Sequence, residues 1–321
     1  MAKGTEEYGV FWGDSLYDYR VTKDPIIKHI LYEHDSICIS SKPGVGKSIL
    51  AKQMLFNLTT GFSFLDTYKI PKCNNVLYLQ TEGDRAETIE RVNAMKLGLM
   101  VDDSKWVHMN QDGIALNTED GIRRFINLSK APQINYDVII IDPLYTTVKG
   151  SLSSDEVATA WVRNVRKIKG IYNCAFIILH HESKDLYQDG HLIRKSNENV
   201  FGSVFWSAFF NNVFKFKVAN GVHYLEVGKQ RSGKIIDSVE MRLIEPKPLM
   251  YSNNDDMLET STVKITTVLR NTGKPFRASN LKKDTDLSLA TVYRSLGKLI
   301  KNNLVDNVEV EGESMYKWRQ I

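Results

Sequence analysis

The chain has 321 residues, 42% hydrophobic and 25% charged, the composition of a soluble globular protein with room for one large domain and a small one. No apolar run reaches the roughly 18 residues that a membrane-spanning helix needs, which excludes that class. The opening stretch MAKGTEEYGVFW lacks the basic-then-apolar order of a secretory signal, and Cys38, Cys73 and Cys174 are scattered without metal-ligand spacing. Reduced thiols and a cytoplasmic setting, with no membrane partner, are the expectation.

The net charge of +4 is unevenly placed. Residues 259–321 hold 11 Lys and Arg against 7 Asp and Glu, whereas residues 1–258 hold 31 of each. The whole excess lies in the tail, where it can meet a polyanion.

In chain order, residues 1–24 form an arm, and then short apolar runs alternate with helix-like stretches. Runs at 37–40, 76–80, 138–141 and 175–179 are nearly all apolar, as parallel strands buried on both faces are. Two further runs, 213–218 and 224–227, lie closer together and suggest an antiparallel hairpin at the sheet edge. Stretches 48–58, 85–97, 121–130 and 155–170 suit covering helices. The alternation predicts an α/β fold over residues 25–245, a mostly parallel sheet with helices on both faces. Residues 246–260 carry no periodicity and read as a linker.

Ser41-Lys-Pro-Gly-Val-Gly-Lys-Ser48 follows the first run and opens a helix, the context of a phosphate-binding loop. Pro43, Gly44, Val45, Gly46, Lys47, Ser48 and Ile49 are the expected nucleotide contacts. Gly44 and Gly46 let backbone amides turn toward phosphate oxygens. Lys47 would reach the β and γ phosphates of ATP, Ser48 would ligate Mg²⁺, and the helix offers its positive end. The usual first glycine of the motif is Ser41 here, a small residue that the position tolerates sterically.

Three further strand ends carry polar chemistry. Val138-Ile-Ile-Ile-Asp142 ends in a carboxylate able to hold a Mg²⁺-bound water opposite Ser48, so Ser48 and Asp142 are the expected metal residues. Val76-Leu-Tyr-Leu-Gln-Thr-Glu82 ends in a second acid, on what is expected to be the strand beside the phosphate loop. Glu82 would orient or deprotonate the attacking water, with Asp84 as competitor for the role. Ala175-Phe-Ile-Ile-Leu-His180-His181 presents two imidazoles on opposite sides of an extended chain. One of them is expected to face nucleotide, and the sequence leaves open which.

A glutamate after the second strand, a strand-end His pair and a late Lys-x-Arg-x-Gly together resemble RecA-type hexameric helicases. The likeness is to RepA-type plasmid helicases first and DnaB-type replicative helicases more distantly, over roughly residues 25–235. The resemblance implies a homo-oligomeric ring, a hexamer, with each nucleotide between subunits. It also implies that Lys229 and Arg231 of Val227-Gly-Lys-Gln-Arg-Ser-Gly233 stabilise transition-state charge on the neighbour's nucleotide, as an arginine finger does. Two loops, 149–156 and 184–199, would face a central channel, where Lys184, Arg194 and Lys195 would follow the phosphates of single-stranded DNA. Phe201, Phe205, Trp206, Phe209, Phe210 and Phe214 have helical spacing and are expected to pack on the sheet rather than stack bases.

Residues 261–321 read as a winged helix, with helices at 262–270 and 278–284 and a third beginning after the N-cap Ser288. Leu289, Val292, Leu296, Leu299 and Ile300 form its apolar stripe. Arg294, Lys298 and Lys301 share another face suited to DNA phosphates. The hairpin 305–310 and 314–318 turns at Glu311-Gly312-Glu313, an acidic tip that favours docking to replication proteins as the alternative. DnaB-type enzymes carry their accessory domain at the other end, so this appendage departs from that pattern.

The leading expectation is an ATP-dependent ring-forming motor on single-stranded DNA, a replicative-type helicase. A RecA-like recombination or annealing accessory and a nucleotide-gated DNA-binding regulator are the alternatives.

Overall fold

Strands that lie inside a layered fold must be apolar on both faces, and the four apolar runs do become the middle of one sheet. The computed structural model describes residues 23–65, 67–99, 105–182, 186–188, 191–193, 203–244, 250–252, 260–301, 304–310 and 312–319. A small hairpin, β1 (Pro25–Ile27) and β2 (Leu31–Tyr32), leads into β3 (Ser36–Ser41) and α1 (Lys47–Thr60). There follow β4 (Val76–Gln80), α2 (Arg85–Leu99), β5 (Trp106–Asn110), α3 (Glu119–Lys130), β6 (Val138–Asp142), α4 (Asp155–Tyr172) and β7 (Ala175–His181). Two short strands, β8 (Leu186–Gln188) and β9 (His191–Ile193), pair with each other. Then come α5 (Val204–Phe209), β10 (Asn212–Ala219), β11 (Val222–Gln230), β12 (Val239–Ile244) and β13 (Met250–Ser252).

The main sheet has nine strands in the order β13-β12-β11-β10-β3-β7-β6-β4-β5. From β10 to β5 every neighbouring pair is parallel, and β10 through β13 are joined antiparallel. One face of the sheet packs against α1 and α2 in a core that includes Leu50, Met54, Phe56, Tyr78 and Val92. The other packs against α3, α4 and α5 through Phe125, Trp161, Ile168, Trp206 and Phe210. The fold is the α/β class expected, RecA-like, with helices on both faces. Of the aromatic cluster, Trp206, Phe210 and Phe214 are fully buried and Phe209 packs against Trp161, whereas Phe205 is exposed and Phe201 lies outside the described residues.

Three local expectations need correction. The hairpin β10–β11 is not the sheet edge, because β12 and β13 continue the sheet beyond it. The alternation of Val239 and Met241, buried, with the exposed Glu240 and Arg242 is the period-two signal of that extra strand. Residues 250–252, expected in a linker, form β13 and pair with β12. The remaining linker positions, like the arm up to residue 22, lie outside the described residues. Finally, β4 is not beside β3, since β7 and β6 stand between them.

The C-terminal unit holds α6 (Thr260–Thr272), α7 (Ala278–Thr285), α8 (Leu289–Lys301) and a hairpin of β14 (Val305–Val310) with β15 (Glu313–Trp318). Ser288 caps α8 as expected, its hydroxyl accepting from the Thr291 amide at 3.2 Å. Val292, Leu296 and Leu299 are buried, while Leu289 and Ile300 at the stripe's margin are exposed. The core of this unit also takes in Phe62, the second residue after α1. Among the described residues, no helix is long and apolar enough to cross a membrane.

Candidate functional site

In a parallel sheet the carboxyl ends of the strands gather the loops on one side, and here that side opens into a cleft of about 470 Å³. It is lined by the glycine loop, α1, the ends of β4, β6 and β7, and the start of α2. Gly44 and Gly46 adopt φ of 77° and 93°, the left-handed region where a Cβ is disfavoured. Their backbone leads directly into α1, whose first residue is Lys47.

Lys47 is only 5% exposed. Burial lowers its pKa, and the charges of Asp142 and Glu82 pull it back. Its ammonium lies 3.4 Å from His181 Nδ1, and His181 Nε2 lies 3.6 Å from Glu82 Oε2. Burial and the Lys47 charge together hold the His181 pKa below its ordinary value. Because β7 is extended, its two histidines point oppositely: His181 joins the cleft, whereas His180, 3% exposed, does not line it.

Glu82 has a third neighbour that the sequence did not suggest. Burial and hydrogen bonding to Glu82 push the Tyr145 hydroxyl up to about 12, and the Tyr145 ring stands edge-on to His181 at 5.4 Å. Glu82 is therefore bracketed by an imidazole and a phenol. Asp84 and Glu87 also line the cleft, with the Asp84 carboxylate accepting from the Glu87 amide at 3.0 Å.

Asp142 is buried at the end of β6, where the Tyr78 hydroxyl donates to its Oδ2 at 2.6 Å. Lys52, a second buried cation one turn beyond Lys47, lines the same cleft and places its ammonium 5.1 Å from the Tyr78 ring centre. Gln80 donates 2.7 Å bonds to the Glu82 carbonyl and the Thr88 hydroxyl, while its Oε1 is buried with no partner among the described residues. Tyr78, Lys52 and Gln80 were missed because each sits in a run that reads as core. The signal for them was a polar atom at a fully buried strand or helix position.

The structure thus brings Gly44, Gly46, Lys47, Ser48, Ile49, Glu82, Asp142 and His181 into one cleft. Val45 is part-buried against the core and Pro43 is exposed on the loop.

Lys229 and Arg231 lie elsewhere. The Arg231 amide donates to the Asn211 carbonyl at 3.1 Å, and the Asn211 amide to the Ser36 carbonyl at 2.7 Å, so Arg231 sits level with the start of β3. The glycine loop follows the other end of that strand, five residues or roughly 16 Å away. Both cations reach the carboxyl end of α5: Lys229 donates to the Ser207 and Phe210 carbonyls, and Arg231 lies 3.5 Å from the Ala208 carbonyl. Burial, then the Arg231 charge, lowers the Lys229 pKa to about 8.

Among the DNA candidates, Lys184, Arg194 and Lys195 lie outside the described residues. The first expected channel loop is tied down, since Asn117 bonds both the amide and the carbonyl of Lys149 at 2.9 Å. Arg294 is exposed on α8, Lys298 is part-buried, and the Lys301 side chain is outside the described set. Glu313, in the acidic tip, is ion-paired with Arg277.

A search of the curated proteins found no match. A family profile described as an AAA domain matches residues 18–186, just over half of the chain. The match takes in Lys47, Ser48, Glu82, Asp142 and His181 and stops short of Lys229 and Arg231. The chain therefore belongs to the AAA-domain family of P-loop ATPases.

Proposed function

We propose that this ATPase is a ring-forming motor on single-stranded DNA, a helicase of the replicative type. The observation that carries the reading is the separation of the cleft from Lys229 and Arg231. Two basic side chains at the opposite end of the sheet cannot serve their own subunit's phosphates, so a neighbour's cleft is where we have them act, Arg231 foremost, since the Ser207 and Phe210 carbonyls already hold the Lys229 ammonium. A closed ring of six copies gives every cleft such a neighbour.

Within one site, Lys47 holds the outer phosphates and Glu82, bracketed by His181 and Tyr145, orients the attacking water and takes its proton. The cleft suits a Mg²⁺–nucleotide: glycine backbone at positive φ, a buried ammonium and a buried carboxylate converge on it. Ser48 and Asp142 would hold Mg²⁺, which supplies charge neutralisation at the phosphates. In this reading His181, 3.4 Å from Lys47 and 3.6 Å from Glu82, reports loss of the terminal phosphate along β7 to the residues after it. Lys184, Arg194 and Lys195 would track the strand. We read the C-terminal unit as a winged helix in which Arg294, Lys298 and Lys301 meet DNA phosphates, since pairing of Glu313 with Arg277 offsets the acidic tip.

Turnover measured with and without single-stranded DNA, beside electron micrographs of the nucleotide-bound protein, tests the proposal. Rings with DNA-stimulated hydrolysis and strand displacement are expected. Annealing without displacement supports the recombination-accessory alternative, and a DNA-indifferent monomer removes the motor reading altogether.

A further inference from the structure

We propose that Tyr78 is a positioning residue for the metal site, fixing the carboxylate of Asp142 that the reading above assigns to Mg²⁺. Tyr78 and Asp142 belong to neighbouring strands, and the register places Tyr78 opposite Ile140. Asp142 is therefore two residues further along on the same face, within reach of the long phenol but not of its backbone. The bond that results is short, 2.6 Å, between a fully buried phenol and a buried carboxylate that still borders the cleft. A phenylalanine would fill the same volume on the face of the sheet that Tyr78 shares with Val76 and Met54. A buried hydroxyl costs free energy unless it is bonded, so its presence is explained by the carboxylate it meets.

The surroundings serve the same end. Lys52, 2% exposed, stands over the Tyr78 ring. The His108 ring also packs edge-on against Tyr78, at 5.3 Å between ring centres, a contact that restricts the phenol's freedom. With Oδ2 anchored, rotation about the terminal torsion of Asp142, otherwise broad, is stopped. Partners of this kind around metal-binding carboxylates typically change metal affinity about 10- to 100-fold when removed.

Tyr78→Phe tests the role without disturbing packing. A fluorescent ADP analogue is titrated onto the wild type, Tyr78→Phe and Asp142→Asn, each with EDTA and across a Mg²⁺ series. The expected result for Tyr78→Phe is an unchanged affinity in EDTA and a Mg²⁺ half-saturation raised about tenfold, with Asp142→Asn losing the Mg²⁺ response. If Asp142→Asn loses the response and Tyr78→Phe matches wild type, the positioning role is overturned and the metal assignment stands. Equal weakening of Tyr78→Phe with and without Mg²⁺ marks a merely structural tyrosine and also overturns the role. An Asp142→Asn protein that responds to Mg²⁺ like wild type overturns the metal assignment and this inference together.

Discussion

Nδ1 of His181 lies 3.4 Å from the ammonium of Lys47, a contact that needs that nitrogen unprotonated. His181 supplies it, because burial and the Lys47 charge hold its pKa below the ordinary value. His181→Ala should therefore bind nucleotide with near-normal affinity and hydrolyse it at least about tenfold more slowly. Wild-type hydrolysis should also fall as pH drops through the lowered His181 pKa, when imidazolium and ammonium repel. Pre-steady-state phosphate release, set beside nucleotide binding, checks both. A His181→Ala protein with wild-type turnover would make the contact incidental.

Glu82→Gln should keep ATP binding and lose hydrolysis by about 10²-fold or more, since the amide still bonds to water but accepts no proton. Asp84→Asn, with its carboxylate turned toward the Glu87 amide, should remain active. The reverse pattern in a phosphate-release assay would transfer the role to Asp84.

Much of this site was legible because phosphate loops and strand-end acids depend on local spacing. Lys47, Asp142, the β3–α1 unit and strand β6 were readable from runs of a few residues. The choice between His180 and His181 was not, because alternation says only that the two differ, and the burial of one is decided by neighbouring strands. The separation of β4 from β3 by two intervening strands was likewise invisible, since sheet order is set by long-range pairing. Tyr145 and Tyr78 looked like loop and core, respectively, because nothing in the chain announces which carboxylate a phenol will meet.

The C-terminal unit has a core of its own, and Phe62 from just beyond α1 is packed into it. Phe62 is 7% exposed within it, and Arg270, 3% exposed, stacks 4.1 Å from the Trp318 ring and 5.3 Å from Phe62. Phe62→Ala should cost about 3 kcal/mol, as buried aromatic truncations do. A chain ending at Ser252 should be poorly soluble, and adding Phe62→Ser should restore solubility by removing the bared ring. Melting curves and sedimentation check this. Equal solubility of both shortened chains would show that Phe62 contributes nothing to the junction.

His108 is held neutral, its pKa lowered to about 4 by burial first and Lys52 second, with Asp142 opposing. The folded state therefore binds this proton less readily than the unfolded chain. The associated stability is whole above pH 6.5 and is lost as pH falls toward 4, an effect on the order of 3 kcal/mol. Urea unfolding of wild type and His108→Asn from pH 7 to 4 should show the wild type losing its advantage across that interval. Parallel curves would mean that His108 does not titrate with folding.

We propose that each cleft is completed by Arg231 of a neighbouring copy. Arg231→Ala should bind ATP nearly normally and hydrolyse it about 10³-fold more slowly or worse, the scale of an arginine finger. The direct measurement is to mix Arg231→Ala with Lys47→Ala, after a tagged pull-down confirms that subunits exchange. One mutant brings a sound phosphate loop and the other a sound Arg231, so wherever they adjoin in the right order a whole site forms. The mixture is predicted to hydrolyse ATP faster than either mutant alone, and linked dimers carrying one mutation in each half should do the same. An exchanging mixture and linked dimers as inactive as their parts, or full activity in Arg231→Ala alone, would contradict the shared site and the ring motor built on it.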